Sequence, residues 1–255
     1  MALSIFGGCK WVTWRRASKT NRRPGIRRSL GYLLLWPGMD AMTFLDPKPT
    51  LKDGSIRFPP SAWISGFSNT VVGGLLVWAA TVVLSVLPEA AGWMAMTGIV
   101  LILHFGFFKL LALLWQRAGI PVIPLMRQPF KASSLVEFWS RRWNTAFTGL
   151  VHDLALGPFA RRLGINGAIL GIFLISGLVH ELVISLPARG GFGLPTGYFL
   201  LQGLGVVLAR EAHRWGLSKG IRGRTYAACF TVGPVYWLFH PPFVRNVILP
   251  MLMRL

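Results

Sequence analysis

The 255-residue chain is 53% hydrophobic and only 14% charged, a balance that a soluble core of this size cannot hide and that points to a bilayer. Its 27 Lys and Arg against 8 Asp and Glu give a formal charge of +19. Beside long apolar stretches that charge reads as basic loops against anionic lipid rather than a nucleic-acid surface, and two distant cysteines, Cys9 and Cys229, indicate neither a disulfide framework nor a zinc site.

Residues 1–28 carry Lys10, Arg15, Arg16, Lys19, Arg22, Arg23, Arg27 and Arg28 with no acidic residue among them. No apolar stretch of sufficient length follows before Leu30, so a signal peptide is not predicted and the start is expected to be uncleaved and cytoplasmic. Leu30 to Trp36 is too short to span and runs into Pro37-Gly38, which predicts an interfacial or re-entrant piece. Residues 46–60, rich in Pro and charge, predict a loop. The chain divides into a basic cytoplasmic arm over 1–61 and a membrane domain over 62–255.

Five spans are predicted, at about 62–87, 91–115, 165–186, 192–211 and 225–252, giving an all-α polytopic helical bundle. The last contains Pro234, Pro241 and Pro242 and must be kinked or broken. Trp36, Trp63, Trp93, Trp115 and Trp215 stand at the ends of apolar stretches, where amphipathic rings anchor at the headgroup level. With the N-terminus inside, residues 116–164 and 213–224 are cytoplasmic and hold the basic residues, whereas the outer connections hold only Arg189.

Between the second and third spans, Ser134 followed by Glu137 has the capping-box spacing, which predicts a helix over about 134–151. Leu135, Trp139, Trp143, Ala146, Phe147 and Leu150 gather on one side of it. Glu137, Arg141, Asn144 and Thr148 gather on the other. Periodicity alone makes this an amphipathic anchor and marks nothing special about Asn144.

The third span holds Ser176-Gly177-Leu178-Val179-His180-Glu181-Leu182. His180 lies roughly 18 to 22 Å along the helix, at or past the middle of the bilayer core. Two adjacent ionisable residues at that depth mark either a functional site or a histidine bonded to a neighbouring helix. Ser176 and Gly177 share the His180 face, which predicts a hydrogen bond from Ser176 and open room at Gly177. Ile184 stands where a second histidine would complete a zincin motif, so no metal is expected. His104, His152, His213 and His240 have no ligand-like spacing, and the roles of His104 and His240 stay open.

Phe138-Trp139-Ser140-Arg141-Arg142-Trp143-Asn144, followed downstream by Ser176-Gly177-Leu178-Val179-His180-Glu181, resembles the signature of the membrane-bound O-acyltransferase superfamily, and most of all its wax-synthase-like branch. The resemblance is tight over 133–186 and looser at Phe239-His240-Pro241-Pro242-Phe243 and Trp36-Pro37-Gly38-Met39-Asp40. It implies acyl transfer from acyl-CoA to a hydroxyl, with a lipid alcohol as the leading acceptor, a sterol, a glyceride or a secreted polar hydroxyl compound as equal alternatives within the class, and no further cofactor. By that resemblance His180 corresponds to the catalytic histidine and Asn144 to its partner asparagine. Arg141, Arg142, Glu181, Ser176 and Trp143 are the expected substrate contacts. Family members commonly have more spans before the first motif, so the chain is expected to be compact or truncated. The expected home is a plasma or inner membrane in a bacterium, or the endoplasmic reticulum in a eukaryote. A lipid-binding or transport protein using His180 and Glu181 as a proton site is the alternative.

Overall fold

The computed structural model describes residues 2–20, 24–46, 59–151, 156–211 and 220–255. All regular elements among them are helical, as expected of an all-α membrane protein. His152, His213, Trp215 and nearly all of the predicted 46–60 loop lie outside the described residues.

Three helices are long and apolar enough to cross a bilayer: Pro60–Val83, Pro88–Arg117 and Gly157–Ala188. At most 22% of each apolar window is buried by protein. Apolar surface left bare in this way needs lipid around it, and the chain is an integral membrane protein. The five predicted spans are thereby reduced to three among the described residues. The fourth exists as the 18-residue helix Leu194–Glu211, but it is less apolar and buries Pro195, Tyr198, Phe199, Gln202, Gly203, Val206 and Ala209 along one face. That face is packed in protein, which is why it can carry a glutamine. The fifth is broken into Gly220–Val232, Val235–Leu238, Pro241–Phe243 and later turns, with Pro234 and Pro241 at the interruptions, as a chain lacking those amide donors must be.

The chain forms two compact units. The first comprises Met1–Leu76, Thr97–Arg127 and Asn144–Leu150. Its core gathers Ala17, Tyr32, Trp36, Phe44, Leu45 and Ala112. Trp36, predicted to anchor at the interface, is 3% exposed and stacks on Phe44, because the helix Ile26–Leu35 and the short helix Ala41–Leu45 fold their apolar faces onto each other. Lys10 is buried in the same unit. Its Nζ donates to the Gly38 carbonyl at 2.7 Å and lies 3.2 Å from the Tyr32 ring centroid, and burial lowers its pKa to about 7.

The second unit comprises Val77–Met96, Gln128–Trp143 and Val151–Leu255. Two apolar cores support it. One joins Ala91, Ala95 and Met96 to Val244, Ile248 and Leu249. The other joins Leu135, Phe173, Tyr198, Phe199, Val206 and Ala227, with Trp139 packed against it. The second core positions the candidate site.

Candidate active site

The capping serine is where the sequence puts it. Ser134 is extended and its Oγ accepts the Glu137 N–H at 3.1 Å. The reciprocal half differs from a capping box, because Glu137 Oε2 accepts the N–H of Ser133 rather than of Ser134, at 2.7 Å, and also the Ser133 hydroxyl. Glu137 Oε1 is held by Arg142, with Nη2 at 2.6 Å and Nε at 2.7 Å. The Ser133 hydroxyl first, then its N–H, and then Arg142 lower the Glu137 carboxyl to about 2. Arg142 also donates to the Gln128 carbonyl, whereas Arg141 is exposed.

The predicted continuous helix over 134–151 does not form. After Leu135–Glu137 the backbone widens into a π turn over Phe138–Arg142, straightens at Trp143 and reverses at Asn144, whose φ is 44°. Asparagine is among the few non-glycine residues that tolerate this left-handed conformation. A second helix, Thr145–Val151, starts immediately after it, and Asn144 Oδ1 accepts the Phe147 N–H at 3.4 Å. The Asn144 N–H points to Met126 Sδ, and Thr145 N–H donates to the Leu125 carbonyl. With its oxygen turned to the helix start, Asn144 keeps its Nδ2 amide as the group to offer elsewhere. Trp143 is half-buried and stacks on Phe138, with centroids 5.5 Å apart.

His180 is the last α-helical residue of Gly157–His180, a helix whose backbone breaks once at Gly164. Its Nδ1 lies 2.7 Å from the Ser176 carbonyl oxygen. The predicted bond to Ser176 therefore forms through the backbone and not through the hydroxyl. A carbonyl only accepts, so in the neutral ring Nδ1 carries the proton and Nε2 presents its lone pair. Phe199, from the helix Leu194–Glu211, lies against the ring with centroids 4.3 Å apart.

Gly177 does not leave the predicted room. A Cβ there would lie 2.7 Å from Thr196 Cα, so the missing side chain is what lets the two helices touch. Directly after His180 the helix widens into a π turn, Glu181–Ser185. There Glu181 Oε1 accepts three bonds from the start of the neighbouring helix, from Gly193 N–H and Thr196 N–H at 3.0 Å and from Thr196 Oγ1 at 2.8 Å. Glu181 thus caps the helix that supplies Phe199, with its negative charge at the positive end of the helix dipole.

His240 resolves differently from His180. It is fully buried; its Nδ1 accepts the Phe243 N–H at 3.2 Å, which leaves the Nε2 proton facing Ser185 Oγ at 3.2 Å. Both ring nitrogens are used to fix the proline-rich turn, so His240 is structural. His104 lies in the π turn Leu101–Phe107 of the first unit, edge-on to Phe108.

His180, Ser176, Glu181, Arg141, Arg142 and Trp143 fall in the second unit, and Asn144 falls in the first. Two residues of the second unit were not singled out from the sequence: Phe199, which packs on His180, and Gln202, which is 0% exposed in mid-helix. A glutamine inside an apolar stretch is the signal that marks the latter.

Residues 122–201 match the Membrane bound O-acyl transferase family. The chain is 32% identical over 151 residues to probable long-chain-alcohol O-fatty-acyltransferase 2 of Arabidopsis thaliana, covering 53% of this chain and 43% of that protein. It is 30% identical over 141 residues to the long-chain-alcohol O-fatty-acyltransferase of Simmondsia chinensis, covering 50% and 40%. It is 28% identical over 135 residues to acyl-CoA–sterol O-acyltransferase 1 of Arabidopsis thaliana, covering 48% and 39%. The chain spans less than half the length of these curated relatives. No solved structure matches it. The resemblance to the membrane-bound O-acyltransferase superfamily and its wax-synthase-like branch is borne out by these matches.

Proposed function

We propose that this relative of the membrane-bound O-acyltransferases transfers an acyl group from acyl-CoA to the hydroxyl of a long-chain alcohol, with His180 as the general base and Asn144 assisting. The observation that carries the reading is the His180 Nδ1 contact with the Ser176 carbonyl, which leaves Nε2 as a proton acceptor. An imidazole with an ordinary pKa of about 6.5 suits that task at neutral pH. Nε2 takes the alcohol proton as the alcohol oxygen attacks the thioester carbonyl. The tetrahedral intermediate collapses by breaking the carbon–sulfur bond, and the imidazolium returns the proton to the departing thiolate. The Asn144 amide N–H donates to the acyl carbonyl oxygen as it gains charge.

The apolar walls serve the same chemistry by keeping water from the activated acyl group. Arg142 is committed to Glu137 and Gln128. Exposed Arg141 is therefore the better of the two for the donor's phosphates on the cytoplasmic side. The names of the relatives support a long-chain alcohol as acceptor, with a sterol as the second choice.

Purified protein supplied with labelled acyl-CoA and a long-chain alcohol is expected to form ester in the wild type and none in His180→Ala, with Asn144→Ala strongly reduced. Ester formation that survives His180→Ala would overturn the assignment.

A further inference from the structure

We infer that Gln202 is a positioning residue for His180, acting through Trp139 and Phe199; this rests on the acyl-transfer reading above. Gln202 is fully buried in the helix Leu194–Glu211, where an unpaired amide would be costly. Both ends of its side chain are occupied. Oε1 accepts the indole N–H of Trp139 at 3.2 Å, and Nε2 donates to the Phe230 carbonyl.

The bond to Trp139 reaches the first of the two sequence motifs. The Trp139 ring stands edge-on to Phe173 at 5.5 Å and tilts against Phe199 at 5.9 Å. Phe199 is the ring that lies 4.3 Å from His180 in the second motif. Among the described residues the imidazole is held along its own helix, from Nδ1 to the Ser176 carbonyl, so its rotation is limited by what packs on its face. Phe199 supplies that packing, Trp139 backs Phe199, and Gln202 fixes the indole.

The same helix is located at two further points. Glu181 caps its first turn. At Gly203, one residue beyond Gln202, a Cβ would lie 3.0 Å from Phe173 Cβ, so the helices touch there too. A helix held at both points gives the Gln202 amide a fixed direction. A leucine there would fill similar volume but remove both bonds of the amide, to the indole N–H and to the Phe230 carbonyl.

The experiment is a double-mutant cycle with Gln202→Leu and Trp139→Phe, read as kcat and KM for ester formation by the full chain in detergent, with melting temperature and folded yield as controls. Each single variant is expected to lose kcat by roughly ten- to a hundredfold, with KM for acyl-CoA changed less than twofold. The double variant is expected to lose no more than the worse single one, because both substitutions remove the same bond. Phe199→Leu touches no hydrogen bond and is expected to reproduce the kcat loss even where Gln202→Leu folds poorly.

Unchanged kcat in folded Gln202→Leu, additive losses in the cycle, or normal turnover in Phe199→Leu would overturn the proposal while leaving His180-dependent ester formation intact. A wild type without His180-dependent ester formation would instead overturn the underlying reading and this proposal with it.

Discussion

Gly177→Ala isolates the contact between the His180 helix and its neighbour. The added Cβ would sit 2.7 Å from Thr196 Cα and 3.3 Å from Thr196 Cβ and Cγ2. The closest of these is backbone and cannot rotate away, so the helices must part by about 1 Å to restore ordinary contact, at a cost of about 1–3 kcal/mol. Thr196 also supplies two of the three bonds to Glu181, at 3.0 and 2.8 Å, and an added ångström would break them. Phe199 moves with the same helix, so His180 loses its packing partner. The variant is expected to melt several degrees lower in detergent, followed by tryptophan fluorescence, and to lose ester formation by roughly a hundredfold. Gly171→Ala on the same helix is the control, because its Cβ would meet only Phe159 ring atoms at 3.4 and 3.5 Å. An unchanged melting temperature and turnover in Gly177→Ala, or an equal loss in Gly171→Ala, would refute the reasoning.

At Asn144 the backbone role and the proposed chemistry can be separated. With φ at 44°, Asn144→Gly keeps the reversal while Asn144→Ala adds about 1 kcal/mol of strain; both are expected to lose ester formation, but only the alanine variant should also melt lower. His240→Ala removes both bonds of a fully buried ring and is expected to cost about 2–4 kcal/mol in detergent unfolding. Its surviving folded fraction should still form ester. Glu137 has its folded carboxyl lowered to about 2 from an ordinary 4.5, so its stabilising contribution is present above pH 4.5 and lost as pH falls toward 2. Melting temperatures across that window should therefore fall less steeply in Glu137→Gln than in the wild type.

The apolar helices and the Ser134 cap were readable in the sequence because both are local: composition marks the first and spacing the second. The paired motifs single out His180 and Asn144 as candidates, yet not how either is held. Gly177 illustrates the reason. A missing side chain is equally consistent with open space and with close helix contact, and only the position of Thr196 decides between them. Glu181 is expected from the sequence as a substrate contact, whereas at the start of the π turn after His180 its Oε1 caps the next helix through Gly193 and Thr196, an arrangement that helical spacing does not encode. Asn144 escaped the helical pattern because its left-handed backbone depends on the bonds from Asn144 and Thr145 to Met126 and Leu125, residues far back in the chain. Among the described residues the spans number three rather than five because Leu194–Glu211 is buried along one face by protein and carries Gln202 there, and because Pro234 and Pro241 break the last stretch.

The most direct test of the central claim is mass spectrometry of lipids extracted from cells expressing the chain or its His180→Ala variant at matched levels, with long-chain alcohol supplied. The account predicts new fatty acyl esters of that alcohol in cells with the wild-type chain and none with His180→Ala. Identical ester profiles from the two would contradict it.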